Sequence, residues 1–235
     1  MTSCTGSDDN ADTQTSLPIG KLKVNIGMRF AVFLYDGVEP VDLAVYGVLS
    51  MARRVAPRIA IFTVAPRAGL VLLANGLRVL ADHGFDDCPP ADALVITGGP
   101  GWAAQCNAVA TLDFIRRYAP GRLVAAVCTG GMILAATGLL DGHAATTKRE
   151  IVAGETAPTR LMRERHPRID VREHVSLVDC GPLITGGGVT LGIDATLHLL
   201  KRLLGETVAD ETARIMEYTR AWKANRDAMP VVVQP

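Results

Sequence analysis

From Arg29 onward, short and wholly apolar runs alternate with longer stretches in which apolar residues recur every three or four positions. Strands of a parallel sheet are covered on both faces and read as continuous apolar runs, and the longer stretches fit the helices that cover them. The pattern predicts strands over 29–35, 58–65, 92–97 and 123–127, with an extended pair over 70–80 turned at Asn75-Gly76. Helices are predicted over 40–53, 107–118, 130–137 (stopped by Gly138), 151–165, 189–204 and 208–222. Residues 144–147 read as a further strand, and 170–178 with 182–185 as a strand or hairpin region. The expected fold class is α/β, a mostly parallel central sheet flanked by helices on both faces.

The polar, Ser-, Thr- and Asp-rich residues 1–27 lack periodic apolar positions, so they are expected to form a flexible tail. Residues 28–228 are expected to form one domain, and 229–235 a loose end. A chain of 235 residues that is 49% hydrophobic is long enough for one large core and short for two domains.

Charge narrows the classes of partner. The 24 basic and 24 acidic residues balance, so no net field favours nucleic acid or a charged membrane, and a small-molecule substrate fits better. The five cysteines, at 4, 88, 106, 128 and 180, have neither the density nor the pairing of a disulfide scaffold, which points to a reducing cytoplasm. No apolar run approaches the roughly 20 residues of a membrane span, and the first residues lack the layout of a signal peptide. The histidines show no metal-ligand spacing with each other or with the cysteines, so neither a metal nor another cofactor is expected.

Ligands of open parallel sheets bind where strand ends, loops and helix N-termini converge. Three segments are predicted to end there together: Gly37 to Asp42, Thr97 to Gly101, and Val127 to Gly131. Cys128 would sit on a tight strand-to-helix turn, where backbone N–H groups and the helix dipole lower a thiol pKa. A buried, inert core cysteine would look the same in sequence. Glu39 and Asp42 flank Pro40 at a helix start, where a carboxylate complements the helix dipole; beside a thiol, either also acts as a general acid or base, Asp42 first and Glu39 second. Gly98 and Gly99 are turn residues, or they let backbone N–H groups approach a developing anion. The run Gly186-Gly187-Gly188 lacks a phosphate-loop Lys-Ser/Thr and is expected to serve close packing. Cys88, Cys106 and Cys180 have no comparable context, and the basic stretches at Lys148-Arg149 and 160–168 read as solvated helix faces.

The segments FLYDGVEPVDL, ALVITGGPG, AAVCTGGMILAATGLLDGHAATT and LITGGGVTLGIDATLHLL together resemble the ThiJ/PfpI superfamily, over nearly all of residues 28–222. The resemblance implies a flavodoxin-like, class I glutamine amidotransferase-like fold. Within the superfamily the chain is most similar to the isonitrile hydratase branch and to the ligand domain of AraC-type regulators. It implies Cys128 as nucleophile, Asp42 as its carboxylate partner, Thr129 as a neighbour holding substrate or water, and Gly98, Gly99, Gly130 and Glu39 as oxyanion or substrate contacts. A homodimer is also implied. Two departures alter the pocket wall: Ala44-Val45-Tyr46-Gly47 where hydratases carry Gly-Pro soon after the Asp-Leu, and Lys148-Arg149 where His and Trp are typical. Thr129 stands where protease-like members carry His, which argues for hydratase or lyase chemistry. Two other readings remain open: a non-catalytic ligand-binding or redox-sensing module, and a glyoxalase-type enzyme attacking α-oxoaldehydes.

Overall fold

The computed structural model describes residues 27–234, so the tail expected over 1–27 lies, apart from Gly27, outside the described residues. The chain begins with β1 (Arg29–Phe33), a 3-10 turn (Pro40–Leu43) and α1 (Ala44–Ala52), followed by β2 (Ala60–Val64). The hairpin β3 (Gly69–Leu72) and β4 (Arg78–Ala81) comes next, then β5 (Ala93–Ile96), α2 (Trp102–Asn107) and α3 (Val109–Tyr118). After β6 (Leu123–Ala126), α4 (Gly130–Ala136) and β7 (Ala144–Ala145) come α5 (Pro158–Arg165), β8 (Asp170–Val171), β9 (Leu177–Asp179) and β10 (Leu183–Gly186). The chain closes with α6 (Leu191–Leu204), α7 (Glu206–Ile215), α8 (Thr219–Ala228) and β11 (Val231–Val233).

The main sheet has seven strands in the order β11-β9-β10-β6-β5-β1-β2. Strands β2, β1, β5, β6 and β10 run parallel; β9 is antiparallel to β10, and β11 parallel to β9. All four residues of β5 and all four of β6 are buried, as a sheet covered on both sides requires. One helix group, α1 with α6 and α7, packs together, and a second is built from α2 to α5 around α4. Register then sets the site: Phe33 of β1 lies opposite Ile96 of β5, and Ile96 opposite Ala126 of β6. The three strands therefore end in line, and the loops that follow them open at one edge of the sheet.

Four sequence expectations are corrected. The helix expected over 151–165 covers only Pro158–Arg165, because Gly154 adopts a φ of 93° and Pro158 fits the first helical turn but not a helix interior. The helix expected over 107–118 starts at Val109, because Ala108 turns extended after Asn107 closes α2, a separate helix that was not expected. The one expected over 208–222 breaks at Glu217, whose φ is 56°. The loose end expected over 229–235 carries β11, an apolar Val-Val-Val run that covers the sheet edge at β9, with Gln234 N–H donating to the Asp179 carbonyl at 2.8 Å.

Candidate active site

Strand β6 runs out at Ala126, and Cys128 then takes a φ of 52°, a conformation that costs a non-glycine residue on the order of 1 kcal/mol. The turn is held from both sides. Cys128 N–H donates to the Gly187 carbonyl at 3.1 Å, and the Thr147 hydroxyl donates to the Cys128 carbonyl at 2.6 Å. A β-carbon on Gly130 would stand 2.5 Å from the Ile96 carbonyl oxygen, so only glycine lets α4 start this close to the end of β5. Strand, strained cysteine and immediate helix make the geometry of a nucleophile elbow.

Asp42 comes from the 3-10 turn after β1, where Pro40 sets the first position and Asp42 N–H donates to the Glu39 carbonyl at 2.9 Å. Its side chain is 1% exposed. Gly98 N–H donates to Asp42 Oδ2 at 2.6 Å, while Oδ1 is buried without a hydrogen-bond partner. Gly98 is the hub: a β-carbon there would meet Thr129 N at 2.6 Å, Thr129 Oγ1 at 2.7 Å and Asp42 Oδ2 at 2.8 Å. The Asp42 carboxyl, Thr129 and the Cys128 turn thus converge on the space left by one missing methyl group. Gly99 N–H donates to Thr129 Oγ1 at 2.8 Å. Both glycine amides are therefore engaged, and the role found for Gly98 and Gly99 is to orient Asp42 and Thr129 instead of leaving free N–H groups for an anion. Gly99 also passes so close to the loop after β1 that a β-carbon would lie 2.2 Å from Glu39 N.

The protonation of the pair runs opposite to expectation. Burial lifts the Asp42 carboxyl to about 6, opposed by the hydrogen bond from Gly98 and by the nearby Cys128 thiol, and helped by the charge of Glu39. Burial and then the Asp42 charge push the Cys128 thiol up to about 12, against the lowering effect of the Thr129 amide and of Lys148. The depressed thiol pKa expected from the helix start is overturned, because Cys128 is 2% exposed and faces a carboxylate. Both shifts run upward, and their order keeps the proton on sulfur ahead of the carboxylate.

Tyr35 escaped the sequence reading. It lies two residues past the end of β1, is buried, and donates its hydroxyl to the Thr97 carbonyl at 3.1 Å. Burial raises its phenol pKa, and the charges of Asp42 and Cys128 add to that. A phenol closing the otherwise apolar run 30–35 was the signal available in the sequence.

The site opens into a cleft of about 990 Å³ lined by Cys128, Thr129, Glu39 and Trp102, with residues 147–152 among its walls. Two further corrections follow from it. Lys148 and Arg149 belong to this wall, outside any helix, and are not a solvated helix face. Met229, expected in the loose end, also lines the cleft. The triple glycine serves close packing as expected: β-carbons on Gly186 and Gly187 would lie 2.8 Å from Ala195 and Leu191 side chains. Among the described residues, no three His, Cys, Asp or Glu side chains gather as a metal site needs, and no helix is long and apolar enough to cross a membrane.

Residues 28–202 match the profile of the DJ-1/PfpI family. The chain is 33% identical over 198 residues to isonitrile hydratase of Pseudomonas putida, covering 83% of this chain and 81% of that protein. It is 29% identical over 150 residues to the HTH-type transcriptional regulator GbdR of Pseudomonas aeruginosa, covering 64% of this chain but only 39% of the regulator. Among solved structures, a ThiJ/PfpI family protein from Pseudomonas syringae shares the fold with a TM-score of 0.71 at 24% identity, over 91% of this chain and 82% of that one.

Proposed function

The chain belongs to the DJ-1/PfpI family, and on that premise we propose that it is a cysteine-dependent hydratase acting on a small isonitrile-like molecule, with Cys128 as nucleophile and Asp42 as its proton acceptor. The observation that carries this reading is the pairing of a strained, buried thiol that lines the cleft with the buried Asp42 carboxyl behind it. Burying a carboxyl against its hydration, with one oxygen left unpartnered, is unfavourable for folding and is the kind of arrangement that persists where chemistry needs it.

In the proposed reaction Asp42 takes the thiol proton as sulfur attacks the terminal carbon of the isonitrile, and it returns that proton to the same carbon. The product is a thioimidate, S–CH=N–R, on Cys128. Asp42, again ionised, draws a proton from water as the oxygen adds to the thioimidate carbon. Asp42 passes that proton to the nitrogen, and the adduct S–CH(OH)–NH–R collapses as the carbon–sulfur bond breaks and the hydroxyl proton goes to sulfur; the N-substituted formamide leaves, one water is consumed and no redox change occurs. Thr129, which accepts the Gly99 N–H and lies against the Asp42–Gly98 contact, holds the water or the substrate nitrogen. Glu39 keeps a second carboxyl at the cleft rim.

The base must be ionised to act, so kcat/KM for formamide formation from a small alkyl isonitrile rises with pH through about 6, the Asp42 value. A flat profile between pH 5 and 8 in an active enzyme would exclude Asp42 as the base.

The similarity to GbdR supports a second reading, a ligand-binding module without turnover. Ligand binding in the cleft with no formamide product would favour it. The proposed assembly is a homodimer that covers the exposed leucines Leu70, Leu72, Leu77 and Leu80 of the β3–β4 hairpin region. The proposed setting is the cytoplasm.

A further inference from the structure

Lys148 stands in the cleft wall where the sequence resemblance led to a different residue, and the fold is shaped to receive it. A β-carbon on Gly188 would lie 2.6 Å from Lys148 Cγ and 2.9 Å from its Cβ, so the glycine makes room for the lysine stem. Thr159 N–H donates to the Lys148 carbonyl at 3.2 Å and fixes its backbone to the start of α5. The side chain is half-buried, and its ammonium donates to the Glu150 carbonyl.

The acids of the wall do not neutralise it. Glu150 is paired with Arg149 at 2.7 Å, Glu173 with Arg163 at 2.7 Å, and Glu155 accepts the Val152 N–H at 3.3 Å. Glu39 acts on the Asp42 side, where its charge raises that carboxyl. Among the described residues, neither Lys148 nor Arg165, whose guanidinium lies 5.8 Å from the centre of the Trp102 ring, forms an ion pair with a carboxylate, and both line the cleft.

We infer that the cleft selects small anionic ligands, with Lys148 receiving a carboxylate placed next to the carbon that Cys128 attacks, and Arg165 on Trp102 drawing it in from the mouth. The inference deepens the hydratase reading, and its binding half stands whether or not the thiol reacts. An electrophile one or two atoms from its carboxylate would keep that carboxylate on the Lys148 side of the sulfur, away from Asp42. The field of Lys148 at Cys128, which favours the thiolate, agrees in sign.

The test uses matched probes on the whole chain at low ionic strength. Cys128 alkylation by iodoacetate and by iodoacetamide is followed by mass spectrometry, each rate divided by that of glutathione. The expected result is a preference for the anionic reagent of about tenfold or more, lost in Lys148→Met and largely kept in Lys148→Arg. In parallel, calorimetric titration of Cys128→Ser with isocyanoacetate and with its neutral methyl ester reads binding without the thiol. Tighter binding of the anion, lost in Lys148→Met, supports the inference even if Cys128 is inert, an outcome that sinks the nucleophile alone. Equal binding of acid and ester, no binding of either, or a preference that survives Lys148→Met overturns it.

Discussion

Replacing Asp42 by Asn is expected to stabilise the protein while abolishing turnover, and the gain depends on pH in a way that can be worked out in advance. Asp42 is 1% exposed, and its carboxyl is lifted from 3.8 to about 6 in the folded state. At roughly 1.36 kcal/mol per pKa unit, carrying the charge in the fold costs about 3 kcal/mol once the pH is well above both values. The sign follows from the direction: a folded pKa above the unfolded one means that stability is full below about 3.8 and is lost as pH rises through about 6. About 1 kcal/mol is already lost at pH 4.5 and about 3 kcal/mol at pH 7.5, so the two conditions differ by about 2 kcal/mol. Asn keeps an oxygen for the Gly98 N–H, and whatever its amide group adds or loses is independent of pH. For a chain of this size the pH-dependent part is worth roughly 4–8 °C in Tm. The assay is scanning calorimetry of both proteins at pH 4.5 and 7.5. A Tm difference between the two proteins that is equal at the two pH values, or that moves against Asp42→Asn as pH rises, would refute the claim that Asp42 is a buried charge held at the expense of stability.

Gly98→Ala forces a methyl group into the space shared by Thr129 and Asp42, so formamide formation should fall at least about tenfold; an unchanged kcat/KM would show that the hub geometry is immaterial. Deleting 230–235 removes β11, the Pro230 carbonyl that accepts Ser176 N–H, and the Gln234 oxygen that accepts Ala144 N–H at 2.8 Å. The expected loss is roughly 2–4 kcal/mol in urea unfolding, and a loss below about 0.5 kcal/mol would mean that the strand contributes nothing. Light scattering is expected to give twice the chain mass, reduced to the single-chain mass when Leu70 and Leu80 are both changed to Lys; a wild-type monomer would sink the dimer.

The β1, β5 and β6 ends were legible in the sequence because buried parallel strands write themselves as unbroken apolar runs, and those ends carry Asp42, Gly98 and Cys128. The proximity of these residues followed from topology alone. What sequence did not reveal was set by tertiary packing. The thiol pKa depends on how deeply the turn is buried and on the carboxylate beside it, which no local pattern records. Residues 151–157 have helix-compatible spacing, yet Gly154 and Pro158 shape them into the cleft wall. Lys148 read as a surface charge because only the fold brings it to Gly188. The β11 strand was too short and too close to the end to be distinguished from a tail without its partner β9.

The central claim is that Cys128 forms a covalent bond to substrate with Asp42 moving the proton. Intact mass spectrometry of the protein, quenched in acid within the first turnover of a small alkyl isonitrile, tests it most directly. The account predicts a species heavier by the mass of one isonitrile, located to Cys128 by peptide mapping, which decays to formamide and is absent in Cys128→Ala and strongly reduced in Asp42→Asn. Formamide made by Cys128→Ala at the wild-type rate would contradict it.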